Sequence, residues 1–239
     1  MGKGVRDLSL EDQAPNCDIY INQPLYKLET IVKNKNVVDI GCGYGYNKSI
    51  VESLGGKWTG LDLFVSDDRI VKADAQSMPF KDTEFDVVIM DAVLEHIPDV
   101  GKAFSEVSRV LKINGLFVGY VAFMECFHEI SYSHISFKAL EYYSEINGMK
   151  LEKISGGSAF GIDHHLSVIF YPLPFSFIRK IISFLIRLVF KIKSIIAFLG
   201  LMLIRKLNYD NARKLSNLYY KLECLRQSNG FNFVIRKID

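Results

Sequence analysis

Asp39-Ile40-Gly41-Cys42-Gly43-Tyr44-Gly45 is the stretch of this 239-residue chain whose residue types and spacing most directly suggest chemistry. Glycines at alternate positions let a backbone turn sharply and approach a ligand closely. A dinucleotide loop would place a third glycine at position 46, where a pyrophosphate meets a helix N-terminus, but Tyr46 stands there. Asp62, at the end of the next apolar run, falls where folds of this kind hydrogen-bond a ribose hydroxyl. Loop and acid together suit adenosine without a pyrophosphate, and they argue against a nucleotide-dependent dehydrogenase.

These residues need elements to hold them. Residues 37–40 form a short apolar run ending in glycines, which reads as a buried parallel strand followed by a tight turn. A helix over 47–54, closed by Gly55-Gly56, and a strand over 58–63 complete a βαβ unit. Strands over 70–73, 85–90 and 116–123 follow, with a helix over 100–111 between the last two. A helix over 136–146, with Ser136 as its cap, and a strand over 149–154 bring the core to about six strands. Residues 230–238 read as a strand returning to the sheet. The predicted fold is α/β: a doubly wound, mostly parallel Rossmann-like sheet with an apolar helical insertion near the C-terminus. Its divisions are an N-terminal segment and candidate substrate lid over 1–36, a core over 37–157, the insertion over 158–229 and the terminal strand over 230–239.

Several ordered motifs make the assignment specific. They are Val38-Asp39-Ile40-Gly41-Cys42-Gly43, Asp62, Asp74-Ala75 with Met78-Pro79-Phe80, Phe85-Asp86-Val87-Val88, and Val93-Leu94-Glu95-His96-Ile97. The run from Phe104 to Lys112, followed by Asn114-Gly115, continues the series. Over residues 37–155 the chain resembles the class I methyltransferases that use S-adenosylmethionine (SAM), in the group related to ubiquinone and menaquinone biosynthesis enzymes. The resemblance implies that Asp39 and the loop of Gly41, Cys42, Gly43 and Gly45 surround the methionine part of SAM. It further implies that Asp62, with Leu63 beside it, holds the ribose, that Asp74 accepts from the adenine amino group with Ala75 alongside, and that Asp91 ends a strand next to the cofactor.

Methyl transfer is a displacement at a sulfonium methyl, so alignment supplies much of the rate and a general base is optional. If the acceptor is a hydroxyl or an acidic carbon, a histidine is the natural base. His128 and His134 follow the strand over 116–123, where substrate-facing loops lie; a purely loop-building or capping role stays open for both. His96 reads as structural. His164-His165 and the four scattered cysteines have no metal-ligand spacing, so no metal is expected.

Composition bounds the rest. With 49% hydrophobic and 23% charged residues the chain can fill a core, and a formal net charge of +2 gives no basic field for nucleic acid. Residues 1–15 lack the apolar centre of a signal peptide, so the expected location is cytoplasmic. Within 175–207, Ser176, Lys180, Ser183, Arg187, Lys191 and Ser194 form one polar stripe on an otherwise apolar helix. Such a helix fits a membrane interface, which would make the protein peripheral on the inner face; a cap over the site or a homodimer interface is the other reading. The expected activity is SAM-dependent methylation, on oxygen, of a small-molecule or lipid-linked acceptor. The alternatives are carbon methylation of a prenylated quinone precursor and a catalytically silent SAM-fold binding subunit.

Overall fold

A computed structural model describes residues 14–21, 25–65, 67–124, 130–156 and 176–239. The described elements run β1 (Asp18–Tyr20), α1 (Leu28–Val32), β2 (Asn36–Ile40), α2 (Lys48–Ser53), β3 (Lys57–Asp62), β4 (Ile70–Lys72) and β5 (Phe85–Asp91). They continue with α3 (Val100–Val110), β6 (Leu111–Ala122), α4 (Phe137–Glu145), β7 (Met149–Gly156), α5 (Ser176–Leu203), α6 (Tyr209–Leu225) and β8 (Gly230–Lys237).

Eight strands form one sheet in the order β1-β7-β8-β6-β5-β2-β3-β4. β8 pairs antiparallel with both β6 and β7, and the other pairings are parallel. This is the doubly wound, mostly parallel sheet expected from the alternation of strand and helix patterns. Central strands are buried on both faces, which explains why Val87 through Met90 form an unbroken apolar run and why Val37, Val38 and Ile40 form one interrupted only by Asp39. α3 covers one face with Val100, Ala103, Phe104, Val107 and Val110, the helical i, i+3, i+4, i+7 spacing, and Asp99 caps it by accepting from the Lys102 N–H at 3.1 Å.

Three features depart from the sequence expectation. β1 adds an edge strand: Asp18–Tyr20 pairs in parallel with Lys153–Ser155 of β7, so part of the N-terminal segment belongs to the sheet. β6 begins at Leu111 rather than near 116, because Leu111 pairs with Phe85 and the chain then bulges through Asn114, whose φ of 65° lies in the left-handed region, before pairing resumes at Leu116. The third departure concerns the polar stripe. Ser183 and Ser194 on α5 are buried rather than turned to water, and Ser194 Oγ donates to the Ser216 carbonyl of α6 at 2.8 Å. Part of the stripe meets α6, with Ser194 bonded to Ser216 and Lys191 over the Tyr220 ring. Lys180 stays exposed, as do apolar side chains such as Phe184 and Leu188 on the opposite face.

Gly119 is the tightest point between β5 and β6. A Cβ there would lie 1.6 Å from the Met90 carbonyl oxygen, inside covalent-like range, and Met90 is its register partner. Gly119→Ala should therefore destabilise the fold by about 3 kcal/mol as β5 and β6 are forced apart. In a chain of this size that lowers the thermal midpoint by roughly 6–12 °C. An unchanged midpoint in a calorimetric scan would contradict the close approach.

Candidate functional site

The parallel strands β2, β3, β4 and β5 all deliver their carboxyl ends to one edge of the sheet. Registers of Ile40 with Leu61 and Met90, and of Asp62 with Lys72, bring Asp39, Asp62, Asp74 and Asp91 together along that edge. Ligands of open α/β sheets bind in the crevice outside these ends.

The glycine loop leaves β2 through three left-handed residues, Gly41, Gly43 and Gly45, with φ of 64°, 52° and 84°. A side chain at 41 would also collide with Val93, 2.4 Å from its Cγ2, because the chain after β5 closes over the loop. On the other side, the Trp58 ring packs beneath Gly45 and fits only because Gly60 has no Cβ, which would sit 2.3 Å from the ring. The loop is thus clamped between the end of β5 and an indole from β3.

Asp39 is the most buried of the four acids, 3% exposed. Its Oδ2 accepts from Trp58 Nε1 and from Asn47 Nδ2, each at 3.2 Å. Burial pushes its carboxyl up to about 6. The Trp58 and Asn47 bonds oppose that rise, while the neighbouring charge of Asp91 adds to it. Asp91, at the exposed end of β5, is also raised, by loss of solvation. Tyr26 lies near Asp91: burial, then that charge, push its phenol upward. The next residue, Ala92, adopts a left-handed φ of 54° while its N–H donates to the Tyr120 carbonyl, so the backbone turns sharply beside the site.

Asp62 clamps two loops at once. Its Oδ2 accepts from the Gly43 N–H at 3.0 Å, and its Oδ1 accepts from the N–H groups of Phe64 and Val65 at 2.9 and 3.0 Å. A carboxylate offers about four lone-pair directions. Three are used here, so one ribose hydroxyl fits without displacing a loop amide. Leu63 and Phe64 stand exposed just beyond it. Asp74 accepts from the Gln76 N–H at 2.8 Å, and both its oxygens accept from Gln76 Nε2. Ala75 is buried in the core cluster. Arg109 holds this segment down by donating to the Phe80 and Met78 carbonyls, while Glu106 accepts from the Met78 N–H at 2.6 Å. Motif residues between 78 and 109 are thereby tied into one support for the Asp74–Ala75 loop.

Cys42 is buried and its thiol is pushed up to about 12 by burial and then by Asp39 and Asp62, so it packs rather than reacts. Glu95 is fully buried, and its Oε1 accepts from the Ala122 N–H at the end of β6. Its carbonyl accepts from Tyr132 and Ser133, and His96 Nδ1 lies 3.1 Å from the Ile130 carbonyl. Together they pin the loop that carries His134, which is exposed with Nε2 at 3.1 Å from Ser131 Oγ. His128, His164 and His165 lie outside the described residues.

A second space opens on the same edge. Phe231 of β8 is level with Val121 at the end of β6 and with Gly156 at the end of β7. Around it Phe123, Phe137, Ile154, Leu222, Leu225 and Phe231 line a mainly apolar cavity of about 360 Å³, within the range of small-molecule sites.

The family described as methyltransferase domain matches residues 38–119, from β2 through most of β6. A sterol 4-C-methyltransferase of Caenorhabditis elegans is 36% identical over 110 residues, 39% of this chain and 33% of that protein. A demethylmenaquinone methyltransferase of Listeria monocytogenes is 33% identical over 107 residues, 37% of this chain and 45% of that protein. The matches span from 27% to 60% of the length of such relatives. Among solved structures, a SAM-dependent methyltransferase of Methanosarcina mazei superposes with a TM-score of 0.51 at 16% identity, covering 90% of this chain and 99% of that one, which shows a shared fold.

Trp58 is the sole tryptophan of the chain, and its indole N–H touches the acid whose carboxyl sits at about 6. Its fluorescence should therefore titrate with a midpoint near pH 6, vanish as a titration in Asp39→Asn, and shift to lower pH in Asp91→Asn. A flat profile in the unaltered protein would contradict the contact.

Proposed function

We propose that this chain is a class I SAM-dependent methyltransferase related to the sterol and demethylmenaquinone enzymes, a reading supported by the methyltransferase-domain match over residues 38–119 and by the similarity to those relatives. It transfers the methyl group of SAM to an apolar small-molecule or lipid-linked acceptor. The observation that carries this reading is the single sheet edge on which the clamped glycine loop, four acids and an apolar cavity lie together.

The edge suits this cofactor by charge. Four carboxylates would repel a pyrophosphate, and they favour a ligand that carries an ammonium and a sulfonium. Oδ1 of Asp39, the oxygen that Trp58 and Asn47 leave, takes the ammonium, and the Gly41–Gly45 backbone closes around the methionine part. Asp62 receives a ribose hydroxyl. Asp74, with Ala75 beside it, takes the adenine amino group, and Asp91 flanks the reacting end. Bound there, SAM supplies an electrophilic methyl, so what remains for the protein is alignment and exclusion of water.

The acceptor sits in the cavity walled by Phe123, Phe137, Ile154 and Phe231. Oxygen is the first reading of the acceptor atom, with His134 taking the proton from the loop pinned by Glu95. Carbon is the second reading, supported by the relative named for 4-C-methylation.

Calorimetry tests the cofactor half: SAM binds and NAD does not. Asp62→Ala should lower the affinity by about 1.5–3 kcal/mol, the worth of a charge-assisted hydrogen bond. Protonating Asp39 removes its attraction for the ammonium, so affinity should fall as pH drops below about 6 and stay level above it. Labelled SAM incubated with lipid extracts tests the acceptor half, with label expected in an apolar product. NAD binding without SAM binding overturns the proposal, and SAM binding without transfer to any acceptor favours the silent subunit.

A further inference from the structure

We propose that the outer face of α5 is a docking surface for an anionic lipid bilayer, lying in the plane of the membrane while α6 holds it to the body of the protein. The seam between the two helices takes up part of the polar side of α5. Ser183 and Ser194 are buried in it, Lys191 lies over the Tyr220 ring at 5.3 Å, and Lys193 pairs with Glu223. What remains outside is largely apolar, flanked by exposed lysines. Ile181, Phe184, Leu185, Leu188, Ile192 and Leu199 recur at helical spacing, and 64% of Phe184 is open to solvent. A 28-residue helix is roughly 40 Å long, so these exposed apolar side chains extend along most of that length, and a contiguous exposed apolar patch marks an interaction surface.

Charge names the occupant. Residues 176–214 hold nine Lys or Arg and one acid, Asp210, in a chain whose formal net charge is only +2. Lys180, Arg205 and Lys206 are exposed near the two ends of α5. A second copy docked on this face would bring like charges together with almost no acids to pair them, whereas anionic headgroups around an apolar interior match the pattern of an interfacial helix. No helix among the described residues is long and apolar enough to cross a membrane, which fits a helix lying flat. α6 also contributes Leu222 and Leu225 to the cavity wall, so one hairpin joins the docking face to the cavity. The surface itself stands apart from the methyl-transfer reading.

Flotation of the full chain tests this, using vesicles of phosphatidylcholine alone and of equal parts phosphatidylcholine and phosphatidylglycerol. The protein should float with the mixed vesicles and be released in part by salt. Replacing Lys180, Arg205 and Lys206 with Gln should weaken that partition about a hundredfold and reduce its salt dependence. Leu188→Glu should weaken it at least tenfold. In both variants the Trp58 fluorescence midpoint should stay in place, showing an intact core. If the unaltered protein stays with the soluble fraction in both mixtures, the proposal is overturned. It is equally overturned if the protein is a stable dimer that Leu188→Glu dissociates.

Discussion

The buried carboxylate of Asp39 is the interaction around which the site is arranged. Taking a carboxylate out of water is costly unless donors replace the lost hydration. The fold supplies two, the indole N–H of Trp58 and the amide of Asn47, and their positions dictate much else. The indole must lie beneath the glycine loop, so Gly60 can carry no side chain and Gly45 must bend away. Asn47 must stand just ahead of α2, which fixes where the loop ends. Asp62 then ties the loop's Gly43 N–H to the chain beyond β3, and Val93 closes it from β5. The least solvated acid of this cradle is pushed up to about 6 by burial.

The parts of this arrangement that were legible in the sequence are those written in local pattern. Apolar runs ending in glycine or aspartate announce parallel strands buried on both faces, and the 3.6-residue spacing of Val100 to Val110 announces α3. Acids at the ends of successive runs had to share an edge once the strands were parallel. The partner of Asp39 was not legible. Trp58 lies 19 residues away and reads as an ordinary buried strand residue, and only the register of Asp39 with Gly60 brings the indole to the acid. Tyr26 beside Asp91 and the three-residue β1 were missed for a similar reason. They depend on contacts with distant strands, and so short a segment shows no period of its own.

α5 shows the same limit at larger scale. Periodicity correctly marks Ser183, Arg187 and Ser194 as one face of a helix, but it cannot say what lies against that face. Here it is α6, which takes Ser194 of the stripe into an internal seam and leaves the apolar arc outside. The motifs between Met78 and Arg109 carry a related lesson. They are recognisable as a series, yet their bonds support the Asp74–Ala75 loop from beneath rather than facing a ligand. Within one series, some residues face the crevice and others keep those residues in position.

The central claim is that the carboxyl edge of β2 through β5 is a SAM site organised by Asp39. A crystal structure with S-adenosylhomocysteine tests it most directly. The account predicts the amino-acid end of that product against Asp39 and the Gly41–Gly45 loop, its ribose at Asp62 and its adenine between Asp74 and Ala75, with the Trp58–Asp39 bond intact. Density for the product at another place on the chain, or the indole swung away from Asp39 when the product is bound, would contradict it.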